Sequence, residues 1–229
     1  MFQYLKYFFY LSFNWNIRIA WYIIVQEIKG EKKYGIKTTG ANELKSLEKK
    51  GIDITHATIY MPVSYPLLEE LFEQLNTKPS KLSKPLYHFL DIGSGKGRAI
   101  CVAAQYGFNK LTGIDFSKEL CQIAEKNMAL TKQKNPRIDY RIINNDAFYF
   151  DIPADADCIF LFNPFDEVIM SAVVQHICHS LQSYPRSLYI SYVNPLHKEQ
   201  FIKAGFKEIY HIKKMKYLEA VIFVSHKDN

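Results

Sequence analysis

Short apolar runs alternate with amphipathic stretches through the second half of the chain. The pattern predicts strands over 87–93, 110–116, 137–146, 157–165 and 187–195, and helices over 97–107, 117–132 and 167–182. Strands that alternate with helices of this length predict a mainly parallel sheet with helices on both faces.

The two ends of this alternating region break the pattern. Residues 206–215 and 217–225 are two strand patterns separated by a very short connection, which predicts an antiparallel pair at the end of the sheet. Upstream, residues 64–75 carry leucines at helical spacing, and the polar stretch 77–85 predicts a linker.

The first 25 residues contain both tryptophans and many Tyr and Phe residues, interrupted by Lys6, Asn14, Asn16 and Arg18. No uncharged run reaches the length of a bilayer span, and no small-residue cleavage site follows an apolar core. We expect helices that pack on the domain, and the alternative is a peripheral contact between residues 1–25 and a membrane surface. The predicted division is a helical extension at 1–55 and a domain at 56–229.

Composition narrows the function only slightly. Hydrophobic residues make up 48% of the 229 residues and charged residues 23%, which is typical of a globular protein, and the net charge of +6 permits an anionic partner without requiring one. The four cysteines form no CxxC pair, which favours reduced thiols and a cytoplasmic location. His176 and His179 flank Cys178, but no carboxylate or further cysteine lies nearby, so no metal site is predicted.

The stretch FLDIGSGKGR, residues 89–98, places three glycines directly after an apolar run. A phosphate-binding P-loop requires Ser or Thr after Gly-Lys, whereas Gly97 follows Lys96 here. A dinucleotide fingerprint requires a third glycine where Arg98 stands, so an NAD-dependent oxidoreductase is an alternative with a weakened motif.

Four segments in register resemble class I S-adenosylmethionine-dependent methyltransferases. Asp91 opens the Asp-x-Gly-x-Gly-x-Gly motif, Asp115 ends GIDFS, NNDAF ends the third strand and FNPF ends the fourth. The resemblance implies a seven-stranded Rossmann-like doubly wound sheet with an antiparallel last strand, and S-adenosyl-L-methionine as the cofactor. It implies cofactor binding by Asp91, Gly93, Ser94, Gly95, Gly97, Asp115, Phe116, Asp146 and Ala147.

Physical chemistry supports this transfer of roles, because the carboxyl ends of parallel strands meet at one edge of a sheet and bind ligands there. A carboxylate at Asp115 can accept both ribose hydroxyl protons. Phe116 and Ala147 can enclose the flat adenine base.

The acceptor is less clearly indicated. FNPF resembles the Asn-Pro-Pro-aromatic motif of amino-group methyltransferases but lacks the second proline, so Asn163, Pro164 and Phe165 are the candidate catalytic residues. Tyr60 is a fourth candidate, because residues 56–72 partly resemble small protein-lysine methyltransferases. An amino nitrogen on a protein lysine is therefore the predicted acceptor, with RNA or a small molecule as alternatives.

Overall fold

The structure is a computed structural model of the chain. It describes residues 2–14, 16–40, 61–77, 86–162, 165–214 and 218–225. The helices are α1 (Phe2–Asn14), α2 (Ile17–Tyr34), α3 (Tyr65–Thr77), α4 (Arg98–Ala103), α5 (Lys118–Lys134), α6 (Glu167–Ser183) and α7 (Lys198–Lys203). The strands are β1 (His88–Ile92), β2 (Lys110–Asp115), β3 (Asp139–Asn144), β4 (Cys158–Phe162), β5 (Tyr189–Val193), β6 (Lys207–Lys214) and β7 (Leu218–Val224).

Within these ranges the seven strands form one sheet in the order β3-β2-β1-β4-β5-β7-β6. Strands β1 to β5 are parallel, whereas β7 runs antiparallel between β5 and β6. The predicted fold class is therefore confirmed. The order reverses on either side of β1, so the crevice beyond the carboxyl ends of β1 and β4 lies at a topological switch point.

The side chains of β1 alternate between the two faces of the sheet. Phe89 joins an apolar cluster that includes Phe72 and Met128, whereas Leu90 and Ile92 join a second cluster built around α6 and α7. All five residues of β1 are buried. A strand buried on both faces reads as a continuous apolar run, which is why the sequence pattern located β1 correctly.

The helices of the extension form a hairpin that contacts the domain. Tyr7 and Leu11 of α1 pack with Ala20 and Ile24 of α2 in a small cluster of their own. Lys33 of α2 pairs with Glu69 of α3. Helix α2 thus contacts the domain, and no helix among the described residues is long and apolar enough to cross a membrane.

Candidate active site at the carboxyl edge of the sheet

The glycine turn folds back over the end of β2. Gly93 and Ser94 both donate backbone hydrogen bonds to the carbonyl of Ile114, at 2.9 and 2.8 Å. Gly97 has a φ of 79°, and a Cβ placed on it would lie 3.1 Å from the Cβ of Ala124 in α5. Glycine is therefore required here both by the backbone conformation and by the close approach of α5.

Asp115 links this turn to the helix that follows β2. Its Oδ2 accepts from the Gly95 amide at 2.8 Å, and its Oδ1 accepts from the Ser117 amide at 2.9 Å. The side chain is only 6% exposed. Burial raises the pKa of Asp115 to about 6, although both hydrogen bonds act in the opposite direction.

Asp91 lies deeper than Asp115, within β1 and in register with Gly113 of β2. It is 3% exposed. Burial, and secondarily the negative charge of Asp115, raise the pKa of Asp91 well above its usual range. Two buried carboxyl groups that repel each other disfavour double ionisation of the pair.

Hydrogen bonds hold the end of β3 against the end of β2. Asn144 Nδ2 donates to the carbonyls of Asp115 and Phe116, at 3.0 and 2.8 Å. Asp146 accepts from the Phe148 amide at 2.9 Å and so caps a 3-10 turn over Ala147–Tyr149. Three predicted segments therefore meet at one edge, and Asn144, which sequence reasoning did not single out, connects two of them.

The predicted catalytic residues are only partly described. Asn163, Pro164 and Tyr60 lie outside the described residues. Phe165 is 9% exposed and belongs to the apolar cluster under α6. Its neighbour Asp166 accepts from the amides of Val168 and Ile169, at 3.0 and 3.1 Å, and is the N-cap of α6.

Comparison with known proteins agrees with this geometry. Residues 90–194 match a family described as a methyltransferase domain. No curated protein matches the chain significantly by sequence. The matched segment runs from within β1 to the end of β5, so it contains the edge of the sheet described above.

Several solved structures share the fold. An RNA methyltransferase from Salinibacter ruber in complex with S-adenosyl-L-homocysteine has 16% identity and a TM-score of 0.51, over 74% of this chain and 96% of that chain. Magnesium protoporphyrin IX methyltransferase from Synechocystis PCC 6803, with bound S-adenosyl-L-homocysteine, has 13% identity and a TM-score of 0.51, over 73% and 90%. A methyltransferase from Methanosarcina mazei has 15% identity and a TM-score of 0.51, over 65% and 97%. At these identities the likeness shows the fold alone.

The extension also holds α4, the helix that follows the glycine turn. Arg98, the first residue of α4, donates to both carboxylate oxygens of Glu27 in α2, at 2.7 and 2.5 Å. It also donates to Thr38 Oγ1 at 2.8 Å and to the carbonyl of Val63 at 2.7 Å. Its guanidinium lies 4.1 Å from the centre of the Tyr65 ring. Arg98 stands where a dinucleotide fingerprint requires glycine, and its side chain instead binds residues that are distant in the sequence.

Lys96, inside the glycine turn, also binds the extension. Its Nζ donates to the carbonyls of Thr39 and Gly40, at 3.1 and 3.4 Å, and the side chain is 4% exposed. Burial, followed by the charge of Arg98, lowers the pKa of Lys96 to about 8. Asn127 of α5 completes the arrangement by donating to the carbonyls of Lys37 and Lys96. Residues 36–40 therefore form a strap that is bound directly to the glycine turn.

A shallow hollow of about 470 Å3 lies beside the 3-10 turn at the same edge of the sheet. It is lined by Phe148, Glu167, Val168, Ser171, Ala172 and Gln175. Its walls are largely apolar, and Glu167 supplies one carboxylate.

Among the described residues, no group of three or more His, Cys, Asp and Glu side chains is arranged to hold a metal ion.

Proposed function

We propose that this protein transfers a methyl group from S-adenosylmethionine to an amino nitrogen, with a protein lysine as the favoured acceptor. The observation that carries the proposal is the meeting of the glycine turn, Asp115 and the Asn144–Tyr149 segment at one sheet edge, joined by hydrogen bonds. The match of residues 90–194 to a methyltransferase domain supports the methyl-transfer part of the proposal.

The residues at this edge fit the cofactor. Ser94 Oγ is buried without a hydrogen-bond partner among the described residues, so the turn contains a polar atom that a ligand can satisfy. We assign the methionine end to Asp91, Gly93, Ser94, Gly95 and Gly97. We assign the ribose to Asp115, with Phe116 beside it, and the adenine to Asp146 and Ala147.

The chain contributes mainly by holding the reactants in place. When bound, S-adenosylmethionine would supply an electrophilic methyl group, and the part of the chain would be to hold an acceptor nitrogen toward that group. No covalent enzyme intermediate is needed, so orientation is the principal contribution of the protein. Asp115 accepts hydrogen bonds from two hydroxyl groups best as the carboxylate, and burial raises its pKa to about 6.

For the acceptor, we assign Asn163 and Pro164 to hydrogen-bond acceptance from the nitrogen, and Phe165 and Tyr60 to the walls around it. The hollow beside Phe148 supports an amine with an aliphatic stem, because its lining is largely apolar and includes the carboxylate of Glu167, which can attract a cation. The amine must lose its proton before transfer, because only the neutral form has a free lone pair.

The proposal can be tested by transfer of labelled methyl from S-adenosylmethionine into a host lysate, followed by protease or nuclease treatment of separate halves. We expect macromolecular label that only protease removes. Label that only nuclease removes, or label found only in small molecules, would overturn the lysine assignment while leaving the methyltransferase activity intact.

Two variants define the cofactor part of the test. Asp115→Asn should weaken cofactor binding by at least tenfold, because an amide cannot accept two hydroxyl protons as the carboxylate does. Asp139→Asn is the matched control, since Asp139 is an exposed aspartate at the start of β3, the opposite end from Asn144. Equal affinity in the two variants would sink the ribose assignment.

A further inference from the structure

The helical hairpin of the extension presents apolar stripes outward. Leu5, Phe9 and Phe13 of α1 follow one another at intervals of four residues and are 52%, 62% and 92% exposed. On α2, Ile17 and Trp21 are each 65% exposed. Residues four apart lie on the same side of a helix, so each helix carries a continuous exposed apolar stripe.

These stripes are not needed to close the hairpin or to attach it to the domain. The hairpin is closed by Tyr7, Leu11, Ala20 and Ile24, each of which is at most 6% exposed. It is attached through Glu27 of α2, which binds Arg98. The exposed residues are therefore additional apolar surface, and exposed apolar surface beside polar residues is typical of interaction sites.

The charges on the hairpin have one sign at its surface. Among the described residues of α1 and α2, the exposed charged side chains are Lys6, Arg18, Lys29, Lys32 and Lys33, of which Lys33 pairs with Glu69 of α3. Glu27 and Glu31 are the acidic residues of these helices, and both are buried. Glu27 pairs with Arg98, and Glu31 accepts from the backbone amides of Thr38 and Thr39. The surface of the hairpin thus combines exposed aromatic and aliphatic residues with basic residues and no exposed acid.

We propose that this hairpin docks on the interface of an anionic lipid bilayer. Trp21, Tyr10 and Tyr22 are partly exposed aromatic residues of the kind that settle at headgroup depth, and the basic side chains complement anionic headgroups. The described helices do not cross the membrane, so they would lie in its plane. This inference does not depend on the identity of the methyl acceptor.

The test uses the full chain and vesicles of two compositions, phosphatidylcholine alone and phosphatidylcholine with phosphatidylglycerol. We expect flotation with the anionic vesicles, at least tenfold weaker binding to the neutral ones, and loss of binding as salt is raised. Both tryptophans, Trp15 and Trp21, belong to the first 25 residues, so a blue shift of intrinsic fluorescence reports on the extension specifically.

The decisive variant is the triple substitution Phe9→Ser, Phe13→Ser and Trp21→Ser. It should reduce binding to anionic vesicles at least tenfold, with the far-ultraviolet circular dichroism unchanged. The matched control replaces three exposed apolar residues elsewhere, Tyr87→Ser, Tyr184→Ser and Ile202→Ser, and should bind like the wild type.

Three outcomes would overturn the proposal. The first is the absence of flotation with both kinds of vesicle. The second is undiminished binding by the triple variant. The third is a concentration-dependent dimer that the triple variant abolishes while vesicles are not bound, which would show that a second copy of the chain covers the stripes.

Discussion

Replacement of Glu27 by Gln is the most direct test of how the extension supports the glycine turn. The substitution keeps the shape of the side chain and removes the negative charge opposite Arg98, which is only 3% exposed. Removing one partner of a buried ion pair leaves an uncompensated buried charge, which costs about 3–5 kcal/mol. The carboxylate also accepts a hydrogen bond from Thr39 Oγ1 at 2.7 Å, so the substitution also weakens the attachment of the strap.

Urea unfolding measures this cost. With a slope of roughly 2–3 kcal/mol per molar urea, the loss corresponds to a midpoint lowered by about 1–2 M. Lys110→Gln is the control, because the Lys110–Asp155 pair is partly exposed, with side chains 33% and 55% exposed, and such pairs contribute about 0–1 kcal/mol.

A double-mutant cycle measures the interaction free energy between Glu27 and Arg98 separately from the contacts that each makes with other residues. Glu27→Met combined with Arg98→Met should be more stable than the sum of the two single losses predicts, because no charge is left buried. A loss from Glu27→Gln no larger than that from Lys110→Gln, or strictly additive losses in the cycle, would refute the interpretation of a buried, mutually dependent pair. Because Arg98 directly follows Gly97, we also expect weaker cofactor binding in Glu27→Gln, measured by calorimetry.

Three further predictions concern the site. Cofactor affinity should rise with pH until Asp115 is ionised near pH 6. The stability of the cofactor-free protein relative to Asp115→Asn should fall by about 3 kcal/mol between about pH 4 and 6, because the folded state holds the proton that the unfolded state has lost. Calorimetry measures the affinity and urea unfolding the stability across this range, and a flat profile contradicts either trend. Gly97→Ala should cost about 1–3 kcal/mol in urea unfolding and more than Gly107→Ala, since both positions have positive φ but only Gly97 faces Ala124; equal losses would show that the contact with α5 is irrelevant. The stability of the wild type relative to Lys96→Met should increase from about pH 8 to 10, because the unfolded chain still binds the proton that folded Lys96 has released; a difference that stays constant across this range would show that Lys96 is not desolvated.

The fold class and the position of the glycine turn could be predicted from the amino-acid sequence alone. Strand and helix periods are local, so the alternation over 87–195 predicted the parallel sheet, and the two strand patterns after 206 predicted the antiparallel pair. The positions of the glycines after β1 and of the carboxylate at the end of β2 could also be predicted, because these residues directly follow or end a predicted strand. The strand limits were less well predicted, as β3 spans Asp139–Asn144 rather than 137–146.

The partners of the buried side chains could not be predicted from the sequence and are known from the tertiary structure. Arg98 and Glu27 are separated by 71 positions, and Lys96 and Thr39 by 57, so no spacing rule connects them. Asp166, which directly follows FNPF, is the N-cap of α6, because its side chain accepts from the first free amides of that helix. Likewise, the aromatic residues of the extension are divided between the hairpin interior and its exposed stripes. A local pattern records period and turn chemistry, whereas burial and charge pairing depend on which distant segment folds against a residue.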